Sequence, residues 1–152
     1  YINVCEADLA ADYKLSTFCL VEGTEIEIES MNITAQGPIT VGRYELQSSC
    51  DIQFGTGDSR RKYPLLNEYN DYRLIDIMSR KSFTLLPKAK NEWFCQIRKQ
   101  GDYLFVQKKN GKRLWPLSFP YRRVYCTTGD EIVLIEDRED DTKQIRIRIT
   151  EL

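Results

Sequence analysis

Thr24-Glu25-Ile26-Glu27-Ile28-Glu29 and Gln144-Ile145-Arg146-Ile147-Arg148-Ile149 both alternate apolar and polar residues with a period of two. Successive side chains of a β-strand point to opposite faces, so this period is typical of a strand with one face on a core. The first stretch would turn Ile26 and Ile28 inward and its carboxylates outward. The second would bury its isoleucines and expose its arginines. Both stretches therefore predict β-strands.

Further segments rich in β-branched and aromatic residues, bounded by Gly, Pro, Asn and Asp, extend this prediction along the chain. They cover 16–21, 38–46, 50–54, 81–86, 93–98, 103–108 and 131–136. Helical signals are weak: 7–13 could form one or two turns, and 69–78 is ambiguous. The acidic run 136–141 is expected to be a hairpin loop. We expect an all-β fold, an antiparallel β-sandwich of about ten to eleven short strands.

Length and charge limit the possible classes of protein. The chain has 152 residues, of which 41% are hydrophobic and 30% charged, with a formal net charge of −1. This composition fits one globular domain spanning residues 1–152. The charge balance gives no overall attraction to nucleic acid or to a membrane surface. No apolar run approaches the length of a membrane-spanning helix, and the chain is expected to be part of a larger signalling or nuclear protein.

The cysteines indicate a reducing compartment. Five are scattered along the chain with no Cys-x-x-Cys pair, and most have apolar neighbours: Cys5, Cys19, Cys50, Cys95 and Cys126. An odd number without paired spacing fits neither a disulfide framework nor a structural zinc site. We therefore expect free thiols and an intracellular location, in the nucleus or the cytoplasm.

Catalytic motifs are missing from the sequence. The chain has no histidine, the usual general base for Ser or Cys nucleophiles and the commonest metal ligand. It also has no P-loop and no Gly-x-Gly-x-x-Gly. We expect a binding module rather than an enzyme, with no metal and no cofactor.

An ordered set of motifs resembles the forkhead-associated (FHA) domain. A strand ending in Gly42-Arg43 is followed by a short polar loop and the strand Cys50-Asp51-Ile52-Gln53-Phe54. Later come a serine turn, the turn Asn110-Gly111, and the segment Thr128-Gly129-Asp130-Glu131-Ile132, in the order of that family. The resemblance covers about residues 16–151 and implies a sandwich that binds phosphothreonine peptides through loops at one end.

The sequence departs from the family pattern in several places. The serine turn has two candidates, Ser79-Arg80-Lys81-Ser82 and Ser59-Arg60-Arg61-Lys62. The first leads directly into an apolar strand, as the family's turn does, and it requires a loop insertion at about 55–75. Neither candidate ends in the family's histidine, and Lys112 follows Asn110-Gly111 where the family has threonine.

The resemblance implies a phosphopeptide site without catalysis. Arg43 would supply the first charge, Ser79 a hydroxyl, and Arg80 or Lys81 a second charge, while Asn110 would hold the peptide backbone. Ser59, Arg60 and Arg61 form the alternative phosphate loop. An arginine fork and a hydroxyl suit a phosphate that carries nearly two negative charges. Arg43 and Ser79 must then lie at one end of the sandwich. If they lie at opposite ends, or if Arg43 is locked in an internal ion pair, the phosphothreonine hypothesis fails and the phosphate-independent module takes its place.

Two other functions remain open at this point. A degenerate FHA-like or other β-sandwich module would bind a partner protein without phosphate dependence, which the missing histidine favours. A nucleic-acid-binding β-barrel would use basic side chains with aromatic residues for stacking. The candidates for that surface are Lys108, Lys109, Lys112, Arg113, Arg122 and Arg123, with Tyr103, Trp115 and Tyr121. The net charge makes nucleic acid the less expected partner.

Overall fold

A computed structural model describes residues 11–47, 49–67, 69, 72–97, 103–115, 123–137 and 139–152. Over these ranges the chain forms eleven strands and two short 3₁₀ helices, η1 and η2. In chain order the elements are β1 (Ala11–Val21), β2 (Thr24–Ala35), β3 (Ile39–Arg43), β4 (Ile52–Phe54), η1 (Gly57–Lys62), η2 (Leu74–Ile77), β5 (Phe83–Ala89), β6 (Glu92–Ile97), β7 (Leu104–Gln107), β8 (Arg113–Leu114), β9 (Arg123–Thr127), β10 (Glu131–Asp137) and β11 (Asp140–Glu151).

The strands form two sheets, which we call the six-stranded and the five-stranded sheet. The first has the order β2-β1-β11-β10-β7-β8 and the second β4-β3-β5-β6-β9. Every neighbouring pair is antiparallel except β3 and β4, which run parallel. The predicted all-β sandwich is confirmed, and its strand count lies in the predicted range.

The core lies between the sheets, and β11 shows how the alternating pattern forms it. Ile145, Ile147 and Ile149 are buried in a hydrophobic cluster that takes side chains from both sheets. Arg146 and Arg148 lie on the opposite face of the strand, where both donate to Glu131. The prediction for this strand is therefore confirmed. Burying each large aliphatic side chain stabilises the fold by about 1.5–3 kcal/mol.

The alternation of β2 is interrupted by a bulge. Glu27 pairs with Phe18 and Glu29 with Thr17, so Ile28 is an extra residue in the ladder. Ile28 is buried, but Ile26 is 43% exposed. Glu29 pairs with the buried Thr17 and so shares its face, in contrast to the outward position predicted for it. A bulge changes which face of the sheet the following side chains occupy. The local sequence contains no signal that predicts this bulge.

Other sequence predictions differ from the structure in detail. Within 7–13, the residues from Ala11 onward are strand and not helix, and 7–10 lie outside the described residues. The ambiguous segment 69–78 contains only the short η2, and the hairpin at 136–141 is tighter than predicted because β10 reaches Asp137 and β11 starts at Asp140. β8 and β9 correspond to none of the strands predicted from the sequence. In the described part of the chain, no helix has the length and apolar character needed to cross a bilayer.

The connection from β4 to β5 packs against the sandwich. η1 has no buried residue, but Tyr63, Leu74, Ile75 and Met78 from the same connection are buried in the main core cluster. The backbone also pairs across this segment at Leu65 and Arg73. The predicted insertion at 55–75 therefore contributes to the core as well as to the surface.

A small polar network fixes this connection to the six-stranded sheet. The hydroxyl of Tyr63 lies 2.7 Å from Glu29 Oε2 and 3.1 Å from the hydroxyl of Thr17. The amide of Gly55 donates to the same Glu29 oxygen at 2.9 Å. The bulge in β2 thus places a carboxylate where it can accept hydrogen bonds from both ends of the 55–63 segment.

Among the described residues, Cys19, Cys50, Cys95 and Cys126 are buried and form no disulfide bond with one another. Burial raises the pKa of Cys19 and of Cys126 to about 12, and it also raises the pKa of Cys95. These three thiols are therefore protonated and behave as small apolar side chains. Cys5 lies outside the described residues.

Replacing the Tyr63 hydroxyl should destabilise the fold measurably. Tyr63→Phe leaves the half-buried Glu29 with fewer donors, so we expect the free energy of unfolding in urea to fall by about 1.5–3 kcal/mol. Tyr69→Phe is the matched control, because Tyr69 is 83% exposed, and its effect should stay within about 0.5 kcal/mol. Equal values for both variants would show that the network does not hold the segment.

Candidate functional site

One end of the five-stranded sheet brings together the predicted Gly-Arg strand and the predicted serine turn. β3 ends at Arg43 and β5 begins at Phe83, and these two strands pair antiparallel. The Arg43 amide donates to the Ser79 carbonyl at 2.9 Å, and the Ser82 amide donates to the Val41 carbonyl at 2.9 Å. Arg43 and Ser79 therefore lie at the same end of the sandwich, as the phosphate site requires.

Gly42 allows the serine turn to lie directly on β3. A Cβ atom at Gly42 would stand 2.0 Å from the Arg80 carbonyl oxygen and 2.4 Å from its carbon. Cys50 also reaches this carbonyl, with its Sγ donating at 2.6 Å. The glycine of the Gly-Arg motif thus has a structural role, because only a residue without a side chain permits this approach.

Arg43 is held in an ion pair within the protein, which is the arrangement expected to count against a phosphothreonine site. Its Nη1 donates to Asp76 Oδ1 at 3.2 Å, and Arg60 Nη2 donates to the same oxygen at 2.6 Å. The other oxygen, Oδ2, accepts the amide of Arg73 at 2.9 Å at the start of η2. Burial acts to raise the pKa of Asp76, but these hydrogen bonds outweigh it and hold the pKa below the usual value. Asp76 is therefore ionised at neutral pH.

This ion pair joins the two serine-turn candidates into one cluster. Arg60, from the alternative loop, and Arg43, from the preferred site, meet on one carboxylate. Ser59 itself lies in η1, where its hydroxyl donates to the Thr56 carbonyl at 2.6 Å. No sequence signal points to Asp76, which is far from both arginines along the chain and belongs to no motif.

The remaining charges at this end are more exposed. Arg80 Nε lies 2.9 Å from Glu45 Oε2, with the Arg80 side chain 60% exposed. Arg61 lies 3.9 Å from Asp58, and both side chains are almost fully exposed. Lys81 is exposed. Each of the arginines 43, 60 and 80 thus has an internal carboxylate beside it, which largely neutralises the charges of these three residues.

Asn110 lies at the opposite end of the sandwich. It belongs to the turn between β7 and β8, and its side chain accepts the Lys112 amide at 3.0 Å. The pairings from β3 through β5 and β6 to β9 place the start of β9 at the Arg43 end and its last residue, Thr127, at the other end. Glu131 follows the turn after β9 and pairs with Gln107, the residue just before the Asn110 turn. The expectation that Asn110 shares a phosphate with Arg43 is wrong, because an Asn-Gly pair forms any tight hairpin.

The described members of the basic and aromatic set proposed for nucleic acid are divided between the two ends of the sandwich, with the lysines in the β7–β8 turn and Arg123 at the start of β9. Lys108 binds the carboxylate of Asp130, and Arg113 lies 2.8 Å from Asp141 and stacks over Phe105. Trp115 packs on Phe105 in a second, smaller apolar cluster. Arg123 lies at the start of β9, away from the turn that follows this strand. Tyr121 and Arg122 lie outside the described residues, while Lys109, Lys112 and Tyr103 are exposed in part or in full.

The Gly-Asp motif has a structural role at this opposite end. Asp130 is 3% exposed and accepts the amides of Thr127 and Lys109 at 2.8 and 3.0 Å. Lys108 adds a charged hydrogen bond. Burial acts to raise the pKa of Asp130, but these donors prevail and lower it. The carboxylate therefore connects the β7–β8 and β9–β10 turns.

Solved structures share this architecture. An engineered FHA domain with a Myc-pTBD peptide matches at a TM-score of 0.50 and 15% identity, over 93% of this chain and 92% of that chain. The N-terminal FHA domain of Rad53p from S. cerevisiae, in complex with a phosphothreonine peptide, gives 0.49 and 13%, over 91% and 93%. Full-length yeast Pml1p gives 0.48 and 13%, over 92% and 83%. The match at a TM-score of 0.50 shows that the fold is that of FHA domains, as the motifs predicted.

At the level of sequence, no family model and no curated protein matches this chain.

A methyl group at position 42 should disturb the site and the fold together. Gly42→Ala forces the backbone of Arg80 to move, so we expect the free energy of unfolding to fall by about 1–3 kcal/mol. Gly37→Ala is the control, because nothing lies within 4 Å of its added Cβ. Urea denaturation of both variants measures the difference, and a Gly42→Ala protein as stable as Gly37→Ala would contradict the close contact.

The lowered pKa values of Asp76 and Asp130 predict a loss of stability in acid. A group whose pKa is lower in the folded state stabilises the fold above its unfolded pKa, about 3.9 for Asp, and loses that contribution as pH falls toward the folded pKa. Stability should therefore decline below about pH 4. Asp130→Asn should flatten this decline, whereas Asp58→Asn, at an exposed carboxylate, should not. Chemical denaturation across the acid range tests this, and parallel pH profiles for wild type and Asp130→Asn would oppose it.

Proposed function

We propose that this chain is a protein-interaction module that binds a phosphothreonine peptide at the end of the sandwich formed by Arg43, Arg60, Ser79 and Arg80. The observation that carries the proposal is the convergence of Arg43 and Arg60 on one carboxylate oxygen, 3.2 and 2.6 Å away. An ion pair at Arg43 was expected to exclude phosphate, but the Arg43 and Arg60 side chains are still 28% and 37% exposed, so another anion can reach them. Two guanidinium groups that hold an anionic oxygen in this way have the chemistry needed to hold a phosphate oxygen. The proposed role is binding, and no catalytic group is needed for it.

The fold supports this use of the site. An engineered FHA domain with the same fold is known with the Myc-pTBD peptide. In the present chain the loops at the Arg43 end rest on a rigid sheet, because the turn at Ser79 is hydrogen-bonded to β3 on both sides of Gly42. A fixed backbone reduces the conformational entropy that is lost on binding.

The site we propose differs from the one expected from the motifs. Arg60 belongs to the site because it binds the same carboxylate, Asp76, as Arg43 does. The Ser59 hydroxyl donates to a backbone carbonyl at the start of η1, and Asn110 lies at the other end of the sandwich. Lys81 stays in the proposal as an exposed charge beside the turn. The contacts to the peptide backbone that Asn110 was expected to provide must come from other residues. The proposal places the protein inside the cell, in the nucleus or the cytoplasm, where threonine kinases supply such ligands.

One observation favours a second function, binding of an unphosphorylated partner. Arg43 already has Asp76 as an internal partner, and Arg80 has Glu45. Under this alternative the ion pairs only stabilise the loops, and the partner protein docks elsewhere on the sandwich. An oriented library of phosphothreonine peptides and the same library without phosphate separate the two functions, because only the first function requires the phosphate.

Substitutions at the proposed site should have unequal effects on phosphopeptide binding. Arg43→Ala removes a charge-assisted hydrogen bond, worth about 1.5–3 kcal/mol, so the affinity should fall roughly ten- to a hundredfold. Arg60→Ala should also weaken binding, although the motifs alone assign Arg60 a minor role. Isothermal titration with the selected phosphopeptide measures each dissociation constant.

Arg61→Ala and Asn110→Ala are the matched controls for these two variants. Arg61 is the neighbour of Arg60 but pairs with Asp58, and Asn110 lies at the far end. Both should change the affinity less than about threefold. A full loss with Asn110→Ala and none with Arg43→Ala would move the site to the other end of the sandwich.

A further inference from the structure

Asp76 occupies the position of a ligand on the two arginines of the proposed site. Its Oδ1 accepts one hydrogen bond from a terminal guanidinium nitrogen of Arg43 and one from a terminal nitrogen of Arg60. Arginine guanidinium groups are donors that hold phosphate in proteins. The carboxylate is only 12% exposed, whereas the Arg43 and Arg60 side chains are 28% and 37% exposed. An internal anion therefore lies beneath two partly accessible cations.

The donors of Arg43 are incompletely used in this arrangement. Its Nε is buried and has no hydrogen-bond partner among the residues that the structure describes. A buried donor without an acceptor costs about 1–3 kcal/mol. The ion pair with Asp76 therefore leaves Arg43 with one unsatisfied donor, and a ligand with three acceptor oxygens offers the terminal nitrogens of Arg43 more acceptors than one carboxylate oxygen does.

A phosphate that arrives at this site meets Asp76 in either of two ways. If it displaces the carboxylate from Arg43 and Arg60, binding must break two ion pairs. If the carboxylate stays, the phosphate lies close to a like charge, which costs about 1 kcal/mol per pair of unit charges at 4 Å even in water and more near a protein surface. In both cases the negative charge of Asp76 opposes the negative charge of the ligand.

We infer that Asp76 is a built-in competitor for the phosphate site: an intramolecular carboxylate that neutralises Arg43 and Arg60 and lowers the affinity for a phosphorylated peptide. This inference rests on the proposed function. Asp76 lies in the connection between β4 and β5, so the chain carries its own competing anion next to the segment that was predicted to be an insertion. Glu45 acts on Arg80 in the same sense, but more weakly because both partners are more exposed.

The alternative role for Asp76 is positioning, in which it orients the two arginines for the ligand. The two roles predict opposite results for one substitution. Asp76→Asn removes the charge but keeps an oxygen that can accept the Arg73 amide, so η2 retains its hydrogen bond. If Asp76 competes, the variant binds phosphate more tightly; if it positions the arginines, the variant binds more weakly.

The experiment titrates the wild-type chain and its variants with N-acetyl-phosphothreonine methylamide, following backbone amide shifts by NMR, with the unphosphorylated compound as blank. We expect Asp76→Asn to bind about tenfold more tightly than wild type, since removing repulsion of this size corresponds to one decade in affinity. Asp58→Asn makes the same charge change on a carboxylate that is 97% exposed and lies 3.9 Å from Arg61. Its affinity should remain within about twofold of wild type.

The outcomes separate the inference from the proposed function. Binding by wild type with equal or weaker binding by Asp76→Asn overturns the inference and leaves the phosphate site in place. No binding by either protein overturns the proposed function as well. If Asp76→Asn fails to fold in a thermal unfolding scan, Glu45→Gln replaces it, with tighter binding of about twofold expected and no gain counting against the inference. Arg43→Ala made in the Asp76→Asn background must abolish the gain.

Discussion

The carboxylate of Asp76 joins three parts of the chain that are far apart in sequence. It accepts from Arg43 at the end of β3, from Arg60 in η1 and from the backbone of Arg73 at the start of η2. A half-buried charge needs such partners, because removing it from water without them costs several kcal/mol. The conformation of the whole β4–β5 connection, and with it the shape of the proposed site, depends on this carboxylate having its donors.

The two ends of the sandwich use buried carboxylates differently. Asp130 is enclosed and binds two backbone amides and Lys108, so it serves only to join turns. Asp76 binds arginine side chains that remain partly open to solvent. A carboxylate paired with fixed amides has no competitor, whereas one paired with accessible guanidinium groups can be replaced by another anion. This difference makes the Arg43 end the candidate for ligand binding.

The sequence predicted those features that depend on local pattern. The alternation of β11 located its buried isoleucines, and the Gly42-Arg43 motif located the end of the sandwich where the serine turn meets β3. The bulge at Ile28 could not be predicted, because it follows from the pairing with β1. Asp76 was missed since its partners are distant in sequence, and Asn110 was misplaced because its motif specifies a turn without specifying where the turn lies in the fold. Arg60 and Arg43 meet on one carboxylate only once the chain has folded.

The parallel pairing of β3 and β4 has a consequence for how this protein can vary. Because β4 runs in the same direction as β3, the chain leaves β4 at the end where β3 finishes, and it returns to that end to begin β5. The long connection between β4 and β5 thus starts and ends at the same end of the sandwich. Lengthening it between the backbone bridge of Leu65 and Arg73 would add only about 0.6 kcal/mol of closure entropy for each doubling of loop length. Evolution and protein engineering can therefore reshape the rim of the site while every strand register in the sandwich stays the same.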